Sequence, residues 1–380
     1  MAAPYRADHV GSLLRPPELL QARQDHRDGT ISADKLRELE DRCIDRALQL
    51  QKDAGLDVFT DGEYRRAWWA GELAASIEGL KPDETGGQRA NSNWQGPTAA
   101  LANDTLADVS GGPMVAVEKV RSVRRIAGDE AAYLKQHAPG PWKSTLPGVA
   151  TRAYQWWKKG VSDSVYPNVQ DLVMELAQIT NNEVHALIDD GCDYVQLDSL
   201  RYTTWMNPAR AAALEANGMG SLEHQLDLQI AGDQASIAGA RGKNPNVTVG
   251  HHICRGNNRS AWGGEGPYEA VAEKLFNTMN VDRFLLEYDT ERAGGFEPLR
   301  FVPKDKMVVL GLISSKLPQL EDEDGLVRRI EEASKYVPLE NLAISPQCGF
   351  ASTSPGNMLT WDEQRAKLKL IARVARRVWG

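Results

Sequence analysis

Cysteine is scarce in this chain, four residues in 380, and scattered too widely to suggest the disulfide framework of a small secreted protein. No run of about 18 apolar residues occurs, which argues against a membrane-spanning helix. The opening residues Met1-Ala2-Ala3-Pro4-Tyr5-Arg6 lack the apolar core of a signal peptide. The net charge of −8 is spread along the sequence, with no basic cluster of the kind that holds nucleic acid. Low-complexity tracts, internal repeats and long linkers are missing too. These absences lead us to expect a cytoplasmic protein whose partners are small molecules rather than nucleic acid or membrane. They leave the oligomeric state open, a homo-oligomer included.

What is present is an alternation of short apolar strands with amphipathic helices, the pattern of a parallel α/β architecture. Strands are expected near Ala7–Leu13, Asp57–Thr60, Lys143–Val149, Tyr194–Leu197, Val247–His251, Arg283–Glu287, Met307–Leu312 and Leu342–Ser345. Helices are expected over Ser32–Ala54, Asn168–Asp189, Leu222–Arg241, Tyr268–Thr278, Asp324–Lys335 and Trp361–Trp379. Eight strands with helical crossovers predict an α/β fold, a (β/α)8 TIM barrel over residues 1–380 as one domain, with an open doubly wound sheet as the alternative. Around residues 81–120 the Gly, Pro, Asn and Thr content breaks the rhythm and predicts an inserted arm or lid.

In a barrel of this kind the reactive groups stand at the C-terminal ends of the strands. Cys43 lies inside a helical pattern and Cys192 in a turn, so both read as packing residues. Cys254 and Cys348 differ. Val247-Thr248-Val249-Gly250-His251-His252-Ile253-Cys254 is an apolar strand ending in His-x-Cys, and on extended backbone His252 and Cys254 point the same way. The next strand ends at Glu287, and the last runs into Cys348-Gly349. Two thiolates, an imidazole and a carboxylate suit four-coordinate Zn2+, and the sulfurs argue against magnesium or calcium. Two thiolate ligands would help zinc present a substrate thiol as a nucleophile. Each group also has a plain reading: His-x-Cys as packing, Glu287 as a loop ion pair, Cys348-Gly349 as part of a barrel layer.

His252-Ile253-Cys254, Leu286-Glu287 and Ser345-Pro346-Gln347-Cys348-Gly349 together resemble the catalytic domain of the cobalamin-independent methionine synthases. That family carries His-x-Cys, a strand-end Glu and Asp-Cys-Gly in this order as zinc ligands. The N-terminal half is similar as well. Asp8-His9-Val10-Gly11-Ser12 looks like the Ile-Gly-Ser turn that holds the amino-acid end of homocysteine, which implies Val10, Gly11 and Ser12 as substrate contacts. Asp61-Gly62-Glu63 and Gln196-Leu197-Asp198 resemble the two carboxylate motifs that bind the substrate ammonium. Without the resemblance Glu63 reads as an ion pair with Arg65 or Arg66, and Asp198 as a helix cap.

The departures bear on function. The second N-terminal barrel that helps the full-length synthase hold polyglutamyl folate has no counterpart in the matched region, so the methyl donor is open. The family's Asp-Glu-Pro is here Asp198-Ser199-Leu200-Arg201. Its Asp-Ile-His, whose His donates a proton, is here Ser314-Ser315-Lys316, which makes Lys316 either the replacement acid or a solvated loop lysine. The resemblance thus implies a zinc-dependent methyltransferase acting on homocysteine, with a small-molecule thiol and an alkyl donor as partners. Arg201 also fits a sulfonate, the feature of the similar epoxyalkane:coenzyme M transferases. A non-enzymatic zinc protein and a metal-free barrel resembling uroporphyrinogen decarboxylase are the remaining readings. Trp68-Trp69 and Trp156-Trp157 fit either core and lid packing or a substrate pocket.

Overall fold

Strands buried on both faces need apolar or internally paired side chains at every position, and the sequence supplies them. In the computed structural model, which describes residues 4–84, 94–103, 112–207, 209, 212, 215 and 221–380, six such strands form one parallel sheet. They are β3 (Lys143–Pro147), β4 (Tyr194–Ser199), β5 (Thr248–Ile253), β6 (Arg283–Glu287), β7 (Met307–Ile313) and β8 (Leu342–Pro346), and every residue in them except Met307 is buried. Their order in the sheet is their order in the chain. A doubly wound sheet reverses its order part-way, so that alternative is excluded and the fold is TIM-barrel-like.

The first two expected strands lie between β8 and β3 but make single bridges rather than ladders. Ala7 pairs with Ile344 of β8, and Phe59 pairs with Trp142 just before β3. Asp57 N donates to Ala7 O at 3.1 Å and links the two segments. Side chains have replaced the missing ladder bonds: Ala7 N donates to Asp57 Oδ2, His9 N to Asp8 Oδ1 and Thr60 N to Gln51 Oε1.

The helices pack outside. Helix Ala33–Ala54 starts at Ser32, whose side chain accepts from Lys35 N, and helix Val169–Asp190 starts likewise at Asn168. The expected helix over Leu222–Arg241 stops at Ser236, because Gly239 turns the backbone to φ +77°. The insertion begins with an antiparallel ribbon, β1 (Ile77–Pro82) against β2 (Met114–Ser122). This is the expected arm, entered slightly earlier than position 81; residues 85–93 and 104–111 lie outside the described residues. Gln95 pairs with Trp262, and Asn258 Nδ2 donates to Ala102 O, so part of the insertion is fastened to the loop after β5.

Side chains two apart share a face, and this stacks the barrel interior in layers. At the base, Lys143 Nζ donates to Asp8 Oδ1 at 2.7 Å, and Arg283 stands 3.5 Å from Asp8 Oδ2, all fully buried. Above them Val10, Leu285, Val309 and Ala343 form a small apolar cluster. Ser12, Asp198, His252 and Glu287, two to four residues further along their segments, sit at the top. Burial works to raise the Asp8 pKa, but Lys143 and Arg283 outweigh it and hold the carboxyl below its usual range. Replacing Lys143 by Met is expected to destabilise the fold by roughly 3–5 kcal/mol, the scale for stripping one partner from a buried ion pair. Urea unfolding of metal-free protein measures this. A cost below about 1 kcal/mol would mean that Arg283 alone suffices for Asp8.

Candidate metal centre and cavity

His252 is on β5 with its side chain inward, while its neighbour His251 faces the helix layer, with Nε2 3.2 Å from Asp233 Oδ2. Cys254 lies one residue beyond β5, Glu287 is the last residue of β6, and Cys348 lies two residues beyond β8. These four strand ends meet. One ligand atom from each of His252, Cys254, Glu287 and Cys348 lies within 4.8 Å of all the others.

The donors fit zinc. The two Sγ atoms are 3.6 Å apart, close to the roughly 3.8 Å spanned by two sulfurs at 2.3 Å on a tetrahedral ion. Among the described residues neither ring nitrogen of the buried His252 has a hydrogen-bond partner outside the cluster, which is unusual for a buried imidazole and apt for a ligand. Glu287 is held in place: Oε1 accepts from Arg255 N at 2.6 Å and Oε2 from Arg292 Nη2 at 3.2 Å. Without metal the site is electrically crowded. The neighbouring sulfur and burial push the Cys254 thiol up, while Cys254, then His252 and Lys316, hold Cys348 well down. Burial pulls His252 down, but Cys348, Asp198 and Glu287 prevail and raise it to about 9.

These groups, apart from Glu287, open onto a cavity that Val10, Ser12, Glu63, Asp198 and Arg201 also line. Glu63 is buried, so the surface ion pair is excluded: Arg65 pairs with Glu40 and Asp41, and Arg66 with Glu130. Its backbone sits at φ +59°, a left-handed conformation costing roughly 1–2 kcal/mol for a non-glycine residue. Asp61 Oδ1 accepting from Glu63 N and Arg15 Nη2 donating to Glu63 O hold it there. Thr145 Oγ1 donates to Glu63 Oε1 at 3.0 Å, and Glu63 Oε2 is buried with no partner. Asp198 belongs to β4 rather than capping a helix, and its Cα pairs in register with that of His252. Gln196 Nε2 donates to Asp198 Oδ1; burial, then Glu63, raise its pKa to about 7 against the pull of His252.

Gly11 does not face the cavity. At φ +145° it has no room for a side chain, since a Cβ would lie 2.8 Å from Glu63 Oε1. Gly349 is required for the same reason: a Cβ there would lie 1.9 Å from Ser12 Oγ. Arg201 stacks on Tyr154, 3.8 Å from the ring centroid, and donates to Gln225 Oε1. Lys316 is buried rather than solvated and stands behind the wall, its Nζ donating at 2.9 Å to Asn257 Oδ1, a lining residue. Trp68 and Trp69 line the cavity, whereas Trp156 is core. Sequence reasoning missed Trp94, Thr151, Arg152 and Tyr154. The last three follow β3 within a few residues, so a strict strand-end search would have found them.

Residues 7–377 match the model of the cobalamin-independent synthase catalytic domain. The chain belongs to that family. Among relatives, the Bacillus subtilis protein YxjG is 39% identical over 99% of this chain and 95% of its own length. The Pyrococcus abyssi methionine synthase is 25% identical over 90% of this chain and 85% of its own. A Listeria monocytogenes structure provisionally named a vitamin-B12 independent methionine synthase superposes with TM-score 0.75 at 29% identity, covering 100% and 99% of the two chains. A Shewanella B12-independent methionine synthase shares the fold, with TM-score 0.72 at 20% identity, covering 99% and 98%. The family is one of methyltransferases, and among the described residues no helix is long and apolar enough to cross a membrane.

Purified protein is expected to carry about one zinc per chain. Cys254→Ser and Cys348→Ser should each lose it. Cys43→Ser and Cys192→Ser should keep it, since Cys43 packs in a helix and Cys192 Sγ donates to Tyr194 O. Full zinc content in Cys348→Ser, read by elemental mass spectrometry, would remove that residue from the ligand set.

Proposed function

We propose that residues 1–380 form one catalytic domain that transfers a methyl group to the thiol of homocysteine, yielding methionine, with zinc bound by His252, Cys254, Glu287 and Cys348. One observation carries the reading: two buried carboxylates, Glu63 with an oxygen lacking any partner and Asp198, open onto the same cavity as the two thiols. Bound zinc would supply the Lewis acid that keeps an acceptor thiol ionised at neutral pH. Glu63 and Asp198 would bind the ammonium, and Ser12 and Val10, which line the cavity, would orient the carboxylate end. Arg255 N and Arg292 keep Glu287 aimed at the site. Lys316 places a positive charge behind the thiols; to deliver a proton to the leaving group its Nζ must exchange Asn257 for the cavity. A cavity beside the donor set speaks against a purely structural zinc site, which is normally closed by its ligands.

The second reading, coenzyme M as acceptor, draws on Arg201, which lines the cavity and could meet a sulfonate. Charge separates the two. For homocysteine, Asp198→Asn should weaken binding by roughly 1–3 kcal/mol, the scale of a lost charged hydrogen bond, with zinc content intact. For coenzyme M the same change should be neutral or helpful and Arg201→Ala harmful. Calorimetric titration of both thiols decides it: homocysteine binding indifferent to Asp198, with coenzyme M binding dependent on Arg201, would reverse the assignment.

A further inference from the structure

The carboxylate of Glu63 and the thiol of Cys348 line one cavity but stand on different segments, one following the bridge at Phe59 and the other following β8. A seam of backbone bonds joins the two loops. Trp68 pairs antiparallel with Thr353, Trp69 N donates to Ser352 O at 2.9 Å, and Ser354 N donates to Ala67 O at 2.8 Å. The segment after Val10 is laid across this seam: Leu13 N donates to Gly62 O, and Phe350 N to Ser12 O.

Arg15 locks the seam from within. It is buried, and its guanidinium donates only to backbone carbonyls. Nη2 meets Glu63 O at 2.7 Å and Arg66 O at 2.9 Å, while Nη1 meets Ala351 O at 3.0 Å and Thr353 O at 3.5 Å. One nitrogen therefore serves the loop of Glu63 and the other the loop of Cys348. Among the described residues no carboxylate pairs with Arg15, whereas the buried Arg66 and Arg283 stand against Glu130 and Asp8. Burial, then Arg23, lower its pKa to about 10, which leaves it charged at neutral pH. A buried cation without an anion is costly, and an apolar side chain would fill the space at less cost. What the guanidinium adds is a rigid planar fork that holds four oxygens of two loops at one spacing. Glu63 has little freedom of its own, because Asp61 Oδ1 accepts from its N and Gly11 closes in behind its Oε1.

We infer that Arg15 is a positioning residue that fixes the span between the ammonium carboxylate and the sulfur site, and thereby selects the acceptor by chain length, homocysteine over cysteine. The inference rests on the methyl-transfer reading above. An amino-acid thiol is gripped at two points, its ammonium and its sulfur. Cysteine is one methylene shorter, so it reaches both points only if the two loops close on it. Where the loops can slide, a missing methylene matters little. Where a fork sets their separation, cysteine must give up one of the two anchors.

The test uses full-length zinc-loaded protein and calorimetry, with homocysteine and cysteine as matched probes. Wild type is expected to prefer homocysteine by about tenfold or more, the scale on which a rigid site resolves one methylene. Arg15→Gln should cut the preference to about threefold or less with zinc content unchanged, and Arg15→Lys, which keeps the charge but not the fork, should fall between. General weakening of the fold would lower both affinities together, so a preserved ratio in Arg15→Gln overturns the assignment. Equal binding of the two thiols by wild type overturns it as well. Hydrogen exchange supplies a readout without ligand: the Trp69 and Ser354 amides should exchange about tenfold faster in Arg15→Gln, and unchanged protection refutes the lock. If neither Arg15 variant folds, Asp61→Ala, which releases Glu63 N, carries the test, and a full homocysteine preference there overturns the fixed span. Failure of wild type to bind homocysteine, while Arg15→Gln still frees those amides, would instead defeat the methyl-transfer reading and the thiol selection with it.

Discussion

Two sulfur atoms 3.6 Å apart, with the buried Glu287 against them and the buried Glu63 and Asp198 on the same cavity, set the conditions for the top of this barrel. Negative charge gathered in a place that water cannot screen must be met by protons, by cations or by a metal. Each neighbour answers that demand in its own way. His252 brings two nitrogens that bond to nothing else, Arg292 holds Glu287, and Lys316, pinned by Asn257, faces the thiols from behind. Burial raises the Glu63 pKa, and Arg66 and Arg15 oppose it only in part. A divalent cation is the economical answer, because it meets both sulfurs at once and leaves the carboxylates at the cavity for a substrate.

The base of the barrel solves a related problem without metal. Asp8 meets Lys143 and Arg283, from two other segments, in complete burial. Between base and top lies the apolar cluster of Val10, Leu285, Val309 and Ala343. Period-two alternation produces this stacking directly. On β6 the inward residues are Arg283, Leu285 and Glu287, so one strand contributes to a charged layer, an apolar layer and the metal site in turn.

That alternation is also why the candidate metal cluster was legible in the sequence: His-x-Cys on extended backbone fixes a shared direction, and strand ends fix the level. Glu63 and Asp198 were not legible in that way. Asp-Gly-Glu reads as a surface turn until the left-handed backbone of Gly62 and Glu63 turns the side chain inward, and only the family resemblance singled it out. The two strands at Ala7 and Asp57 were overestimated because hydropathy does not show that neighbouring Asp57, Asp8 and Gln51 side chains take the ladder bonds. Arg152 and Tyr154 were within reach of the same strand-end rule, but they lie on the helix Val149–Trp156, a turn or more past β3, where a polar residue reads as helix surface. Trp94 lies in an insertion without periodicity, and nothing local marks it.

The bridge between Ala7 and Ile344 places the chain's opening residues beside its last strand, and Ser12 touches the loop that carries Cys348 and Gly349. A ribosome delivers these partners in the worst order for assembly. The first segment can meet the Asp57 segment early, but its place beside β8 stays open until more than 300 further residues have been made, and the second sulfur ligand arrives equally late. Contacts of such long sequence separation form slowly. Between Cys254 and Cys348 the nascent chain carries a half-built thiol site, exposed both to oxidants and to stray soft metals. Closure of this fold waits on the segment from Ile344 to Cys348.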